Sequence, residues 1–178
     1  MICSRIIVLI LVIAATACAA CANVFALFYG DNLGIKTIQT LWYSKTRAGG
    51  ADTVSKVADS PCEQYKTFFT VSEGVAVGAA GLGFIVFLLA IAQLAMRSRV
   101  CCLKVFISLL LLLAFCAAGV CVALSVYGYL KGYCQDDALL APIYGSFQER
   151  KFNFSLAFYL ICASCGLFLI ADIFECCA

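Results

Sequence analysis

Two cysteine pairs have spacing that could support redox or metal chemistry: Cys162-Ala-Ser-Cys165 and Cys18-Ala-Ala-Cys21. At i and i+3 on a helix both sulfurs share one face, the arrangement that membrane thiol oxidoreductases set beside a quinone. A thiol shuttle also needs a partner cysteine pair in an external loop, where this chain has single cysteines. Cys162 begins roughly 12 Å inside its apolar segment at about 1.5 Å per residue. Cys18 and Cys21 lie at similar depth, so a four-thiolate metal site is geometrically imaginable, but it would bury charge in lipid. Small apolar packing is the expectation for both pairs. The chain has no histidine, so the commonest metal ligand and the side chain that titrates near neutrality are both missing. No catalytic residue, cofactor or metal is expected, and the chain does not read as an enzyme.

Polar groups inside apolar segments are the other candidates, because in hydrocarbon they mark transport pathways by default. Glu73 and Asp172 fall close to the ends of their segments, where hydration accounts for them. Gln93 remains, a thin basis for the alternative reading of a small transporter or channel. The net charge of +2 is scattered, without a basic run, so no nucleic-acid partner is expected.

The elements that position these residues follow from composition. Apolar residues make up 65% of the 178 and charged residues 12%, against roughly 25% charged in soluble domains. Segments 6–29, 74–96, 105–127 and 154–174 are each about 20 residues or longer, enough to cross roughly 30 Å of hydrocarbon. Lipid offers no hydrogen-bond partners, so each must be helical. The fold class is therefore all-α and integral to the membrane: a four-helix bundle in a single domain, 1–178. Arg5 and the apolar run after it resemble a signal peptide, but the run continues through Tyr29, so a retained signal anchor is expected.

Basic residues set the orientation. Arg5, Arg97, Arg99 and Lys104 are concentrated near helix ends, whereas the eight in the two long inserts are diluted and largely offset by acids. This predicts cytoplasmic termini, a cytoplasmic connection 97–104 and extracellular loops 30–73 and 128–153. The short 97–104 connection makes the second and third helices antiparallel neighbours. Of the 13 cysteines only Cys62 and Cys134 fall in the external loops, where a disulfide persists. The alternative is two free thiols too far apart to meet. Cys101, Cys102, Cys176 and Cys177 lie at the cytoplasmic interface, as lipidation candidates or as ordinary interfacial cysteines. Asn153-Phe-Ser155 matches a glycosylation sequon but abuts the fourth helix, so its use is not expected.

Gly74 and Gly78, at GxxxG spacing, open the second helix on a small-residue face and predict close helix packing, with this helix central. The seam is either internal to the bundle or between copies. In the first loop, residues 35–43 are rich in β-branched and aromatic types and Gly49-Gly50 offers a turn, so a strand and hairpin are expected. Tyr144–Phe147 and Phe152–Phe154 have strand-like spacing. A small external β cap drawing on both loops follows, resting on the helices beneath because isolated hairpins are marginal. Trp42, the one tryptophan, either anchors this cap or meets a partner.

Four helices, a Thr-Leu-Trp motif in a long first loop, and Pro61-Cys62 just before the second helix resemble the amastins, surface proteins of trypanosomatid parasites that are similar in layout to claudins. The layout covers the whole chain. Thr40, Leu41, Trp42 and Lys45 fit the amastin signature. Ile38 and Ala48 occupy its two cysteine positions, Tyr43 its glycine and Arg47 a small polar position, which fits the loss of one bridge. Tetraspanins differ, because their large cysteine-rich loop lies between the third and fourth helices. The resemblance implies a multi-pass surface protein with a non-catalytic interaction or structural role. Its partners would be membrane lipids, further copies or other surface proteins.

Overall fold

The computed structural model describes residues 2–32, 34–95 and 101–177. Its helices are α1 (Ile2–Ala22), α2 (Glu63–Ala95), α3 (Cys101–Lys131) and α4 (Leu156–Cys177). All four are long and apolar enough to cross a membrane. A five-stranded antiparallel sheet caps one end of the bundle: β1 (Phe28–Asn32), β2 (Ile35–Gln39), β3 (Tyr43–Ala48), β4 (Ala51–Lys56) and β5 (Phe152–Phe154). The strand order is β4-β3-β2-β1-β5. The second loop thus adds its strand to the free edge of the first loop's meander, pairing Phe28 with Phe154 and Gly30 with Phe152. Gly49 and Gly50 both take positive φ, +56° and +88°, the backbone a two-residue hairpin turn requires, and β3 pairs with β4 around them.

Three expectations shift. The first helix ends at Ala22 rather than near Tyr29; Asn23 Nδ2 donates to the Ala19 carbonyl at 2.9 Å, and the apolar residues that follow enter the cap. Leu27 and Phe28 are apolar because they are buried in protein, not because they face lipid. Conversely, α2 begins well before Gly74. Its 33 residues span about 50 Å at 1.5 Å each, more than the roughly 30 Å hydrocarbon core. The added turns are amphipathic, with Tyr65, Phe69 and Ser72 buried on one side, a pattern that a hydropathy window averages away. Third, residues 35–43 are not one strand, since the chain turns at Thr40–Trp42 between β2 and β3, and Tyr144–Phe147 is not a strand either.

In the bundle α1 packs on α2 and α4, and α3 packs on the same two helices, so no helix is central and α2 and α3 are neighbours as their short connection requires. Residues 96–100 of that connection lie outside the described residues. Within one copy the small-residue seam lies at Gly83 rather than at Gly74 and Gly78, so of the two expectations for that pair only a seam between copies stays open. A Cβ built on Gly74 or Gly78 meets nothing within 4 Å, whereas one on Gly83 collides with Thr16 Oγ1 and comes 2.9 Å from Phe168 Cζ. The buried face of α2 is Ala76, Ala79, Gly83, Val86 and Ala90, and Gly83 is where α1 and α4 both approach its backbone. Gly83→Leu is expected to lower the thermal midpoint in detergent sharply, by the roughly 1–3 kcal/mol or more of overpacking. Gly78→Leu should leave it near wild type. Equal effects at the two positions would refute this assignment of the seam.

Candidate functional site

The cap is bolted to the bundle by an aromatic layer. Phe28 stacks on Phe147 with centroids 4.3 Å apart, Phe154 on Phe158 at 4.0 Å and Tyr129 on Phe154 at 4.4 Å. On the α2 side Tyr65 packs on Phe69 at 4.6 Å and on Tyr144 at 5.1 Å. Tyr133 sits among them with its hydroxyl buried and, among the described residues, without a hydrogen-bond partner, and burial pushes its phenol above the ordinary range. The sequence signal for this layer was the cluster of Phe and Tyr at strand spacing in the second insert. Strand propensity accounts for Phe152–Phe154 alone, whereas most of these rings meet helices.

Cys62 and Cys134 form a disulfide, with Cα atoms 6.2 Å apart. Two hydrogen bonds reinforce it: Cys134 N donates to Gln64 Oε1 at 2.8 Å, and Ser60 Oγ donates to the Tyr144 hydroxyl at 2.8 Å. The two loops are therefore joined covalently as well as through the sheet.

The Thr-Leu-Trp motif builds the corner between β2 and β3. Thr40 Oγ1 accepts from Trp42 N at 3.2 Å and Tyr43 N at 3.0 Å and donates to the Tyr43 carbonyl at 2.9 Å. One hydroxyl thus satisfies three backbone groups of the turn. Leu41 is buried in the core beneath. The Trp42 indole N–H reaches back 2.9 Å to the Asn23 carbonyl, just past the end of α1, while the ring stays 44% exposed. Both readings of Trp42 hold in part: it anchors the cap to α1 and still shows a face to the surroundings. Lys45 bonds Asp52 at 3.0 Å across the β3–β4 hairpin. Arg47, in the position where a small polar residue was expected, pairs with the same carboxylate at 3.0 Å. The Lys45 hydrogen bond, with help from the Arg47 charge, holds Asp52 below its usual range. These exposed pairs set hairpin geometry more than stability.

The family model for amastin surface glycoproteins matches residues 6–174, nearly the whole length of the chain. The chain belongs to the amastin family. No curated protein matches it. The amastin motif residues present here are thus the ones that shape the corner and hairpin of the cap, and the membrane bundle and disulfide-tied sheet are those of a multi-pass surface protein.

The cysteine pairs of α1 and α4 are not bridged. Cys18, Cys21, Cys162 and Cys165 are free thiols, and Cys165 leans on the Phe115 carbonyl at 3.8 Å. Among the described residues no three His, Cys, Asp or Glu gather where a metal could sit. Cys102 and Cys176 are free and exposed, while the side chains of Cys101 and Cys177 lie outside the described residues.

The far end of the bundle holds a polar cluster that the sequence reading missed. Glu175, just past the apolar segment 154–174, is 1% exposed. It accepts from Gln93 Nε2 at 2.9 Å, and Arg5 donates to the Gln93 carbonyl at 3.1 Å. Asp172, expected to be hydrated, accepts from Ser108 Oγ at 2.5 Å. The overlooked signal was periodic: Ile161, Ser164, Phe168, Ala171 and Glu175 continue one helical stripe, and all are buried.

Proposed function

We propose that this amastin acts at a surface membrane as a non-catalytic contact or structural protein, with its termini in the cytoplasm and its cap outside. The observation that supports this most is the state of β4, whose six residues are all exposed at the open edge of the sheet. The rest of the cap is fastened to the helices, so the β3–β4 hairpin is what it presents outward. An unpaired edge is a ready template for association, and Val54, 62% exposed, lies on it.

Orientation is tested by treating intact cells with an impermeant thiol reagent after mild reduction. Cys134 should be modified and Cys102, exposed at the opposite end, should be spared; the reverse pattern overturns the topology. The contact role is tested in the same cells with Val54→Glu. Surface changes of this kind alter stability by only about 0.5 kcal/mol, so loss of crosslinked self-association or cell contact at an unchanged thermal midpoint is the expected result. Full retention of contact would remove the hairpin from the function.

A further inference from the structure

At the cap end of the bundle α2 and α3 leave a groove of about 520 Å3 between them, within the roughly 300–1,000 Å3 range of small-ligand pockets. Its α2 wall runs from Glu63 to Val71 and stops just above the apolar segment that starts at Gly74. The opposite wall runs from Leu124 and Tyr127, where the apolar segment of α3 ends, to Tyr133 just past the helix. Val71 and Tyr127 are both exposed, so the groove opens sideways toward the bilayer. It spans the level at which hydrocarbon gives way to lipid headgroups.

Three features give the groove a chemical preference. Glu63, Thr67 and Val71 are four residues apart, so they form one stripe down α2 in steps of about 6 Å: a carboxylate, then a hydroxyl, then an aliphatic side chain. The ammonium, the phosphate and the start of the acyl chains follow one another down a zwitterionic phospholipid in the same order. Second, Glu63 is the one charged residue in the wall, and among the described residues it makes no ion pair. Lys66 and Lys131, the basic residues nearest in sequence, are not part of the wall. The charge turned toward a ligand is therefore negative by about one unit. Third, Phe68 joins the rings into one surface, its centroid 6.0 Å from that of Tyr127 and 5.0 Å from that of Tyr133. Aromatic faces beside a carboxylate suit a quaternary ammonium, which has no N–H to donate. Gln64 Oε1 accepts from Cys134 N at 2.8 Å, so the side chain has its amide N–H groups to offer a phosphate.

We propose that this groove holds one phosphatidylcholine molecule of the cap-side leaflet. Its choline would lie against Glu63 and the aromatic wall, its phosphate beside Gln64, Thr67 and Tyr127, and its glycerol end beside Val71 and Leu124. An anionic lipid would set its headgroup against the Glu63 carboxylate, and free phosphocholine would leave Val71 and Leu124 uncovered. The inference goes beyond the contact role, because the groove opens to lipid rather than outward from the cap. It also holds for either orientation of the termini, so it succeeds or fails independently of the thiol-labelling result.

The full chain in detergent is offered equimolar phosphatidylcholine and phosphatidylglycerol with the same acyl chains, and the lipid retained is counted by native mass spectrometry. One phosphatidylcholine should be retained per chain, about tenfold in preference to phosphatidylglycerol. Soluble phosphocholine at the same concentration should not displace it. Glu63→Gln should bring the two lipids to near parity with the lipid-free thermal midpoint close to wild type, and Glu63→Asp should keep most of the preference. Glu73→Gln makes the same charge change on α2 outside the groove and should leave the preference intact. Equal retention of the two lipids by the wild type would overturn the proposal, as would displacement by phosphocholine. So would a Glu63→Gln variant that selects like the wild type, or a Glu73→Gln variant that loses the preference to the same extent.

Discussion

Cys134→Ala should lower the stability of the protein by about 4 kcal/mol, the chain-entropy value for opening a loop of this length. The bridge joins residues 72 apart, and between them lie all of α2, all of α3 and the connection linking them, so its loss frees a large part of the chain in the unfolded state. The loss should fall first on the cap, because the helices remain held by lipid and by their own backbone bonds. The measurement is thermal unfolding in detergent with and without reductant, read by near-ultraviolet circular dichroism for the aromatic layer and by far-ultraviolet signal for the helices. The variant and the reduced wild type should both lose the aromatic signal at lower temperature than the oxidised wild type. An unchanged midpoint in both would mean that the aromatic layer, not the bridge, holds the cap.

Phe28→Ala should be comparably damaging, at about 3–5 kcal/mol for a buried ring. Phe28 is 1% exposed and stands at the centre of the layer, stacked on Phe147 and touching Phe154 and Tyr129 at 5.6 and 6.2 Å. It is also one of the three β1 residues that pair with β5, so one residue serves both the sheet and its seat. Phe28→Leu, which keeps most of the volume, should cost about 1.5 kcal/mol or less. Trp42→Ala provides the contrast. A cost of the same size is expected for a buried tryptophan, but this one is 44% exposed. Its truncation removes one hydrogen bond, to the Asn23 carbonyl, and part of a contact, for about 1–2 kcal/mol. Chemical denaturation of the three variants in one detergent ranks them. Trp42→Ala at or above the cost of Phe28→Ala would make the motif, rather than the aromatic layer, the keystone of the cap.

The sequence alone determined the parts of this amastin that depend on local, additive properties. Four runs of apolar residues long enough to cross a bilayer specify four helices, because transfer into lipid sums residue by residue and leaves the backbone no other way to pair. The Gly49-Gly50 turn was legible because positive φ is a property of single residues. The cysteine pairing was legible because only Cys62 and Cys134 fall in the long inserts. Which face of each helix turns inward was decided only in three dimensions. In lipid an apolar side chain is equally at home facing out or in, so hydropathy cannot say whether Gly78 or Gly83 meets a neighbour, and the answer depends on where Thr16 and Phe168 arrive from other helices. The same reason hid Glu175, whose burial follows from the Gln93 amide brought to it by α2. It also hid the role of Thr40-Leu41-Trp42: propensity reads these residues as strand, but the carbonyl of Asn23 and the core beneath Leu41 make them a corner.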